Sequence, residues 1–333
     1  MSKKIAINGF GRIGRLTFRN LLQNPDLEVV AINDLTDNAT LAHLLKYDSA
    51  QGAFEGTVDS TDDAIIVNGK SINAYAERNP ENLPWSDLGV DVVLECTGVF
   101  RTKEKAGLHI KAGAKDVIIS APAKGGDVQT IVLGVNDEEL DPSNNVFSNA
   151  SCTTNCLAPV AKIIDDNWGL VVGSMTTTHA YTSDQRMQDA PHSDLRRARA
   201  AAFNIVPTST GAANAVGKVV PSVKGKLSAI AVRVPVITGS MIEVNAVVGK
   251  ATTAEEINAK FKEMAEGPMK GILQFATDPL VSSDIVRNPH SSIFDSLMTN
   301  VIGDTFIKVV SWYDNEAGYS ARLADLTARI ATR

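Results

Sequence analysis

The chain has 333 residues, of which 44% are apolar and 21% are charged, and its formal net charge is −6. This length is too great for one ordinary hydrophobic core and predicts two domains, while the composition excludes a disordered or fibrous protein. The acidic balance gives no reason to expect a nucleic-acid-binding surface. The N-terminus lacks a signal-peptide pattern, and no run approaches the roughly 18 apolar residues of a membrane helix. We therefore expect a cytoplasmic protein without a membrane segment.

The cysteines restrict the chemistry further. Three cysteines, Cys96, Cys152 and Cys156, are too few for a disulfide framework in a chain of this length. They form no CxxC pair and no Cys/His cluster with zinc-ligand spacing, so no metal site is predicted. A reducing environment is the expectation, and it leaves a thiol free to react.

The first half of the sequence alternates short apolar runs with helical patterns. In chain order, strands are predicted over 4–8, 27–33, 90–96, 116–120 and 130–135, and helices over 10–22 and 40–47. Near-continuous Val/Ile runs are typical of strands buried on both faces, and so of a mostly parallel sheet. The pattern predicts a Rossmann-type, doubly wound α/β domain.

The second half has longer and more closely spaced strand candidates. After a helix that opens near Ser151, strands are predicted over 170–179, 226–238, 241–250 and 306–312. Gly239-Ser240 separates two of them and indicates a hairpin. We expect an α+β domain with a largely antiparallel sheet, a tight crossover near residue 150, and a C-terminal helix from Glu316.

The segment GFGRIG at 9–14 fits a phosphate-binding turn. A strand precedes it, a helix and a second strand follow, and Asp34 lies twenty residues beyond Gly14. Gly9, Gly11 and Gly14 permit a tight turn and the close approach of a pyrophosphate to the helix N-terminus. Asp34 would accept hydrogen bonds from a ribose and repel a 2′-phosphate, which favours NAD over NADP. The alternative is an ordinary tight βα turn with an acidic residue at the strand end.

Cys152 lies at a predicted strand-to-helix junction. The positive end of a helix dipole lowers the pKa of a thiol in that position and favours the reactive thiolate. Most cysteines are instead small buried hydrophobic residues, an interpretation that suits Cys96 and Cys156 better than Cys152. The sequence therefore predicts Cys152 as a nucleophile.

A reactive cysteine needs a base, and His179 is the best placed of the five histidines because it ends a predicted strand. An isolated histidine at a strand end is nevertheless more often structural. The other histidines lie on a putative helix, in a helical surface stretch or beside prolines in predicted loops: His43, His109, His192 and His290.

Arg233 lies in a run whose neighbours predict burial, so its guanidinium needs a carboxylate or a bound anion. A structural ion pair and an anion site are equally compatible with this pattern, because arginine presents the same fork to carboxylate and phosphate. The segment TSTG at 208–211 offers hydroxyl and backbone donors suited to phosphate, or else forms a polar loop before a helix. The arginines at 196, 197 and 199 fit a solvated face or subunit contacts equally well.

Seven segments of the sequence carry a resemblance to a known family. They are NGFGRIGR at 8–15, AIND at 31–34, HLLKYDS at 43–49, ECTGVF at 95–100, SNASCTTNC at 148–156, RVP at 233–235 and WYDNE at 312–316. Over its full length the chain closely resembles the glyceraldehyde-3-phosphate dehydrogenase family, which comprises phosphorylating, NAD-linked enzymes of glycolysis.

The resemblance implies roles for particular residues. Cys152 would attack the aldehyde, and His179 would act as its base. The cofactor positions that the glycine turn and the resemblance imply are Gly9, Gly11, Arg12, Ile13, Gly14, Asp34, Arg78, Ser120 and Asn315. The substrate and phosphate positions that match are Ser151, Thr153, Thr182, Arg197, Thr210, Gly211 and Arg233, with Arg196 as the alternative to Arg197.

The resemblance also implies the reaction and the assembly. Glyceraldehyde 3-phosphate and inorganic phosphate would be the substrates, with a thiohemiacetal and a thioester on Cys152 and with NAD as cofactor. A homotetramer is implied, as is an NAD-binding domain over 1–150 joined by the C-terminal helix 316–333, with a catalytic domain over 151–315. Erythrose-4-phosphate dehydrogenase and a non-catalytic binding role of the same fold remain the alternatives.

Overall fold

The computed structural model describes residues 2–125 and 128–333, and the chain divides into two compact units. Unit 1 comprises Met1–Ile131, Glu138–Ala150 and Ser320–Arg333, and unit 2 comprises Val132–Asp137 and Ser151–Tyr319. In the part of the chain that the structure describes, no helix has the length and apolar character needed to span a bilayer.

Unit 1 is built on one largely parallel sheet. Its strands are β1 (Lys3–Asn8), β2 (Leu27–Asn33), β3 (Val58–Ser60), β4 (Ala64–Val67), β5 (Lys70–Tyr75), β6 (Val92–Glu95), β7 (Asp116–Ile119), β8 (Gln129–Thr130) and β9 (Val146–Ser148). Its helices are α1 (Arg12–Leu21), α2 (Asn38–Lys46), α3 (Trp85–Leu88), α4 (Lys103–Ala106) and α5 (Leu108–Lys111). The strand order is β3-β4-β5-β2-β1-β6-β7-β9-β8, and among the described residues only the β3–β4 and β4–β5 pairs are antiparallel. The prediction of a doubly wound α/β fold is confirmed.

The order of the strands in unit 1 reverses at β1, which lies between β2 and β6. In open α/β sheets, ligands bind beyond the carboxyl ends of the strands at such a switch point. Every residue of β6 and β7 is buried, as expected for strands that are covered on both faces.

Two expectations for unit 1 and its boundary are wrong. The predicted strand over 130–135 ends at Thr130, because the chain then turns back and the backbone N–H groups of Val135 and Asn136 both donate to Val132 O. His109 does not lie on the surface, since its exposed fraction is 0%. Helix α5, on which it lies, is a single turn that buries the imidazole next to Trp85 and Glu95.

Unit 2 is an α+β unit built on a second sheet. Its strands are β10 (Leu170–Ala180), β11 (Val206–Ser209), β12 (Leu227–Val234), β13 (Ser240–Val248), β14 (Leu273–Ala276), β15 (Ser292–Asp295), β16 (Asn300–Ile302) and β17 (Phe306–Tyr313). Its helices are α6 (Cys152–Trp168), α7 (Ala212–Val219) and α8 (Ala254–Glu266), and α9 (Ala317–Ala331) begins in unit 2. Across the two units, short 3₁₀ helices lie at Pro80–Asn82, Asp137–Glu139, Pro221–Val223 and Ser296–Met298.

The strand order of the second sheet is β11-β12-β10-β13-β17-β15-β14, with β16 paired to β17. Among the described pairs, only β10–β12 and β14–β15 are parallel. The prediction of a largely antiparallel sheet is therefore confirmed.

The predicted hairpin at Gly239-Ser240 is wrong, because β10 lies between β12 and β13. Strand β12 ends at Val234, earlier than predicted, and residues 235–239 carry the chain past the end of β10. Gly239 has a φ of 92°, and a Cβ there would lie 2.5 Å from Ser282 O. Glycine is therefore needed here because the backbone at 239 passes close to the backbone at Ser282, and not because the chain forms a hairpin turn.

Candidate functional site

Cys152 is the first residue of α6 and follows the N-cap Ser151. Ser151 has extended dihedral angles, and its Oγ accepts a hydrogen bond from Thr154 N at 3.0 Å. This cap satisfies one of the free N–H groups of the first turn and defines the start of the helix. The structure therefore places the thiol at a helix N-terminus, as the sequence predicts.

His179 lies next to the cysteine, although the two residues are 27 positions apart in the sequence. The Nε2 atom of His179 is 3.4 Å from Cys152 Sγ, which is hydrogen-bonding distance for sulfur. The Nδ1 atom is 2.7 Å from Ala180 O, and the side chain is 3% exposed. The contact with Ala180 holds the imidazole near the end of β10 with Nε2 directed at the thiol.

Arg233 completes this cluster because it is the register partner of His179 in the parallel β10–β12 pair. Its Nη1 lies 2.9 Å from Ala180 O and 2.7 Å from His179 Nδ1. No carboxylate forms a salt bridge with Arg233 among residues 2–125 and 128–333, and its buried Nε has no hydrogen-bond partner there. The structural ion pair that the sequence left open is thus not present, and a guanidinium without a counter-ion fits an anion site.

The electrostatics of the thiol differ from the expectation. Burial raises the pKa of Cys152, while the positive charge of Arg233 and the hydrogen bond with Thr153 lower it, and the net direction is upward. The direction of the shift is therefore opposite to the lowered pKa that the sequence predicts. The reason is that the dehydration of a buried thiolate outweighs the nearby positive charge.

His179 is shifted in the opposite sense. Burial, followed by the positive charge of Arg233, lowers the pKa of His179 to about 3, although the hydrogen bond with Ala180 opposes the shift. The imidazole is thus neutral at physiological pH. A neutral imidazole can take a proton from the thiol, which a charged one cannot.

A buried hydroxyl group supports the start of α6, and the sequence did not point to it. The hydroxyl of Tyr313 lies 2.9 Å from Thr153 Oγ1 and 2.8 Å from Thr177 Oγ1. Its ring meets the imidazole of His179 edge to face, with 5.8 Å between the centroids. Thr177 lies two residues before His179 on β10. Because side chains two apart on a strand lie on the same face, the sequence could have indicated that Thr177 lies near His179.

The segment 208–211 lies beside Arg197 and not beside Arg196. Arg197 Nε donates to Thr208 Oγ1 at 3.0 Å and Nη2 donates to Ser209 O at 3.3 Å, whereas Arg196 is exposed. Arg197 also forms a salt bridge with Asp184 and a longer one of 3.5 Å with Asp194. The sequence did not predict these two carboxylates.

The remaining phosphate-site candidates lie at the starts of short segments. Thr210 Oγ1 accepts a hydrogen bond from Ala212 N at 3.2 Å, and Gly211 is the N-cap of α7. A free helix N-terminus in this position presents N–H groups to an anion. Thr182 follows β10, and its N–H donates to Gln185 Oε1 at 3.3 Å.

Unit 1 contains a separate pocket at its switch point, with a volume of about 440 Å³. Its lining includes four predicted cofactor residues, Gly9, Gly11, Asp34 and Arg78, together with residues that the sequence did not single out: Asn8, Asn33, Leu35, Glu77, Cys96, Thr97, Val99 and Phe100. Asn8 and Asn33 end two adjacent parallel strands, and that position was the signal which could have found them.

The glycine turn in this pocket is required by close packing. A Cβ on Gly14 would lie 2.2 Å from Gly9 O, and Gly9 itself has a φ of 92°. A Cβ on Gly11 would meet no atom within 4 Å, so Gly11 leaves open space beside the start of α1. This open space and the helix N-terminus fit the pyrophosphate of a dinucleotide.

The acidic residue at the end of β2 is held against the glycine turn. Asp34 Oδ2 accepts a hydrogen bond from Phe10 N at 2.8 Å, and its Oδ1 accepts one from Thr36 N at 3.0 Å. Arg12 donates to Asp48 Oδ2 at 2.6 Å. Ile13 and Ser120 are half-buried and, with Arg12 and Gly14, are not part of the pocket lining.

Asn315 lies in unit 2, where it is 5% exposed. Its Oδ1 accepts hydrogen bonds from Ser240 Oγ at 2.9 Å and Gly239 N at 3.2 Å. Because the oxygen is engaged, the Nδ2 group is the part of the amide that remains to donate to a ligand. Among the described residues, no group of three or more His, Cys, Asp or Glu side chains could hold a metal ion.

A dinucleotide-type pocket in one unit and a cysteine–histidine pair beside an unpaired arginine in the other define a class, the nucleotide-dependent oxidoreductases with a thiol nucleophile. Residues 3–103 match the model described as glyceraldehyde 3-phosphate dehydrogenase, NAD binding domain, and residues 151–315 match the C-terminal domain of the same family.

Characterised relatives agree along the whole chain. The chain is 60% identical to glyceraldehyde-3-phosphate dehydrogenase of Thermotoga maritima over 324 residues, and this alignment covers 97% of each protein. It is 56% identical over 334 residues to the enzyme of that name from Geobacillus stearothermophilus, covering 100% of this chain and 99% of the relative. For the Mycolicibacterium smegmatis protein the identity is 57% over 338 residues and 99% of both chains. The chain belongs to the glyceraldehyde-3-phosphate dehydrogenase family, and it is an NAD-dependent oxidoreductase.

Proposed function

We propose that this chain oxidises D-glyceraldehyde 3-phosphate with NAD and inorganic phosphate, and that it releases 1,3-bisphosphoglycerate as a step of glycolysis. The observation that carries the proposal is the cluster in unit 2, in which a thiol lies 3.4 Å from a neutral imidazole. Beside it lies a buried guanidinium without a carboxylate partner among the described residues. The first pair suits covalent catalysis on an aldehyde, and the guanidinium suits a substrate that carries phosphate.

The first chemical step is the attack of Cys152 Sγ on the aldehyde carbon. The C–S bond forms as the Sγ proton passes to Nε2 of His179, and the carbonyl oxygen gains a negative charge. His179 can accept this proton in the tautomer whose Nδ1–H donates to Ala180 O at 2.7 Å, because Nε2 then carries the lone pair. The backbone N–H of Cys152, at the start of α6, is a donor for the developing oxyanion. The imidazolium then protonates the oxyanion and yields a thiohemiacetal.

The oxidation step converts the thiohemiacetal to a thioester. NAD, when bound, supplies the oxidising power by accepting the hydride from the thiohemiacetal carbon. His179 takes the hydroxyl proton as the C=O bond forms again, so both electrons of the broken C–H bond leave with the hydride. Asn315 holds its amide with Oδ1 engaged by Ser240 and Gly239, which suits its Nδ2 to orient a carboxamide.

The last step is the attack of inorganic phosphate on the thioester carbon. The C–S bond breaks, an acyl phosphate leaves, and Cys152 regains its proton from His179. We propose two anion positions, formed by Arg233 and by Arg197, with hydroxyl and backbone donors from Ser151, Thr153, Thr182, Thr210 and Gly211. Arg197 is preferred over Arg196 because its Nε donates to Thr208 Oγ1 beside the 210–211 helix start.

The charge on the substrate adjusts the base in this scheme. The positive charge of Arg233 is one cause of the low pKa of His179. A phosphate dianion bound to Arg233 offsets that charge, so His179 becomes a stronger base when substrate is present. Arg233 Nη1 and the Nδ1–H of His179 both donate to Ala180 O, at 2.9 and 2.7 Å, and the two nitrogens lie only 2.7 Å apart. An anion that draws Nη1 towards itself therefore relieves a contact between two donors.

For the cofactor, we propose the pocket of unit 1. Gly9, Gly11 and Gly14 shape the turn for the pyrophosphate together with Arg12 and Ile13, and Asp34 accepts from the ribose. Arg78 and Ser120 complete the assignment that the family resemblance implies. The open space at Gly11 and the clash that a Cβ at Gly14 would cause support this assignment.

The reaction is tested by following NADH formation with glyceraldehyde 3-phosphate in the presence and absence of inorganic phosphate. We expect rapid turnover that depends on phosphate. Oxidation that phosphate does not stimulate would overturn the proposed phosphorolysis and would favour the erythrose-4-phosphate dehydrogenase alternative. The same assay is run with erythrose 4-phosphate. If NADH forms from neither aldehyde, the non-catalytic alternative holds.

We also propose that the chain assembles as a homotetramer. Four large apolar side chains in the loop between β10 and the start of β11 are unusually exposed: Met187 at 67%, Leu195 at 80%, Phe203 at 86% and Ile205 at 69%. Exposed apolar side chains in one segment are typical of an interface. Light scattering should give a particle mass of four times the chain mass of 35.4 kDa. Phe203→Asp should lower the particle mass. A wild-type particle with the mass of one chain overturns the proposal. We also propose a cytoplasmic location, because a nucleophilic thiol is kept free in a reducing environment.

A further inference from the structure

Glu95 is a buried acidic residue that the proposed mechanism does not use. It ends β6 and is 1% exposed. Its Oε2 accepts hydrogen bonds from Asn8 Nδ2 at 2.6 Å and from His109 Nε2 at 3.0 Å. Its Oε1 accepts from Thr97 N at 2.9 Å and from Thr97 Oγ1. Four hydrogen-bond donors thus converge on one carboxyl group, and three of them, Thr97 N, Asn8 Nδ2 and the His109 N–H, cannot accept, an arrangement that suits a carboxylate.

The direction of the bonds on the asparagine side is set by a backbone group. Glu77 N–H can only donate, and it lies 2.8 Å from Asn33 Oδ1, so Asn33 must present Nδ2 to Asn8. Asn33 Nδ2 donates to Asn8 Oδ1 at 2.7 Å. Asn8 is therefore obliged to turn its own Nδ2 towards Glu95, and neither amide can flip without losing these bonds.

The direction on the histidine side is set by a tryptophan. The indole N–H of Trp85 is a donor only, and it lies 3.0 Å from Nδ1 of His109. Nδ1 therefore carries no proton, and the imidazole is the neutral tautomer with its proton on Nε2, which donates to Glu95. With His109 neutral, no cation pairs with the Glu95 carboxylate among the described residues, and a buried charge of this kind depends on its donors.

This network forms one wall of the proposed cofactor pocket. Asn8, Asn33 and Thr97 all line the pocket, and they come from the ends of β1 and β2 and from the loop after β6. The loop is close to the glycine turn, since a Cβ on Gly9 would lie 2.7 Å from Thr97 N. Cys96 N donates to Asn8 O at 2.7 Å and ties the same two segments together.

We propose that Glu95 is a positioning residue for the dinucleotide, whose carboxylate holds the glycine turn, Asn33 and Thr97 in the arrangement that binds the cofactor. Trp85 contributes by selecting the tautomer of His109 that donates to this carboxylate. The inference rests on the proposed cofactor site of unit 1. It concerns a group outside the pocket lining that acts through three residues of the lining, Asn8, Asn33 and Thr97.

The first test is Glu95→Gln in the full-length chain. The amide NH₂ must replace one carboxylate oxygen, and each oxygen faces a donor that cannot become an acceptor: Thr97 N on one side and Asn8 Nδ2 on the other. We expect the Kd for NAD, measured by titration calorimetry on the cofactor-free protein, to rise roughly tenfold or more. We expect KM for NAD to rise with it, while kcat changes little. Glu104→Gln, an exposed change on α4, is the matched control and should leave Kd unaltered.

The second test is a double-variant cycle with Trp85→Phe. Without the indole donor, His109 can move its proton to Nδ1 and accept from the glutamine amide through Nε2. This relieves one of the two donor–donor contacts on that side of the amide and leaves the one with Asn8 Nδ2. The factor by which Glu95→Gln/Trp85→Phe raises the Kd for NAD should therefore be smaller than the product of the factors for the two single variants. A role in packing alone predicts additive or worse effects. Nitrogen NMR of histidine-labelled protein should show His109 protonated on Nε2 in the wild type and on Nδ1 in the double variant.

Each outcome is decisive. If wild-type protein binds NAD and Glu95→Gln binds it equally well, this inference fails and the cofactor site stands. If wild-type protein does not bind NAD, the cofactor site itself fails. If Glu95→Gln alone does not fold, the double variant carries the test, since the proposal expects it to fold and bind NAD. Additive Kd values, or a double variant that also fails to fold, overturn the role given to Trp85.

Discussion

Cys152 Sγ lies 3.4 Å from His179 Nε2, with the imidazole oriented from behind by Ala180 O. Burial raises the pKa of the Cys152 thiol and lowers the pKa of the His179 imidazole to about 3. These directions favour a neutral thiol beside a neutral imidazole. In the proposed mechanism, the thiolate forms as the proton moves to His179 during the attack on the aldehyde.

His179→Asn tests this pairing. Loss of the base should lower kcat/KM roughly 10²–10⁴-fold, since this is the usual contribution of a positioned general base. Steady-state NADH kinetics measure the change, and Cys152→Ser should abolish turnover. Cys156→Ser is the control, because that thiol is fully buried beside Ser292 and does not contact His179.

Iodoacetamide should label Cys152 alone, as burial raises the pKa of Cys96 and Cys156 to about 12. Full activity in Cys152→Ser would exclude the covalent mechanism.

Arg233→Gln should change the pH dependence of alkylation. The charge of Arg233 lowers the pKa of Cys152, so its removal raises that pKa and moves the profile to higher pH. The same change raises the pKa of His179 from about 3 towards its ordinary value. Rates of iodoacetamide modification across a pH series measure the shift. Arg197→Gln is the matched control and should move the profile less, since Arg233 is the arginine whose charge acts on the pKa of Cys152. A profile that stays in place, or moves to lower pH, contradicts the electrostatic account.

Tyr313→Phe should destabilise the protein without altering the residues that react. Its hydroxyl is a partner of Thr153 and Thr177 in a fully buried site, and its loss leaves both threonines short of a hydrogen bond. The expected cost is about 1–3 kcal/mol in the free energy of unfolding. Urea denaturation measures it, with the exposed Tyr47→Phe as a control that should change stability by less than about 0.5 kcal/mol. Equal stability of the two variants would show that the hydroxyl does not matter.

Gly14→Ala and Gly11→Ala should separate folding from binding in the glycine turn. A Cβ at position 14 would lie 2.2 Å from Gly9 O, so this variant should lose roughly 3 kcal/mol or more of stability. A Cβ at position 11 meets no atom within 4 Å, so the second variant should fold normally. It should nevertheless bind NAD more weakly, because the methyl group occupies the space beside the helix N-terminus. Thermal unfolding and NAD titration give the two readouts. Unimpaired NAD affinity in Gly11→Ala would remove the pyrophosphate from this space.

Asp34→Asn should raise the use of NADP relative to NAD. The amide keeps an oxygen that can accept from Phe10 N, so the bond to the glycine turn is retained while the negative charge and the bond from Thr36 N are lost. We expect the ratio of kcat/KM for NAD to that for NADP to fall about tenfold, which corresponds to about 1.4 kcal/mol. Asp34→Ala should give a similar fall in the ratio with an additional loss of stability. An unchanged ratio in both variants would exclude Asp34 from cofactor choice.

Much of the site was readable from short segments. The glycine turn between a strand and a helix, the acidic residue at the end of the next strand, and the small polar residues around Cys152 are all local signals. They depend on backbone geometry within a few residues, which the sequence specifies directly. His179 and Arg233 were recognisable as candidates but not as neighbours. The β10–β12 register that pairs them involves residues 54 positions apart.

What the sequence determined by itself was the type of most elements that it predicted, the two-unit organisation it led us to expect, and the family. Periodicity, turn residues and motif spacing act over one strand or one helical turn, and a single chain displays them without a fold. Only the tertiary structure decided that β10 separates β12 from β13, that His109 is buried, and that Arg233 has no carboxylate beside it among the described residues. It also decided the sign of the Cys152 pKa shift. These properties depend on which distant residues exclude water from a group, and dehydration is set by the packed fold and not by the neighbours in sequence.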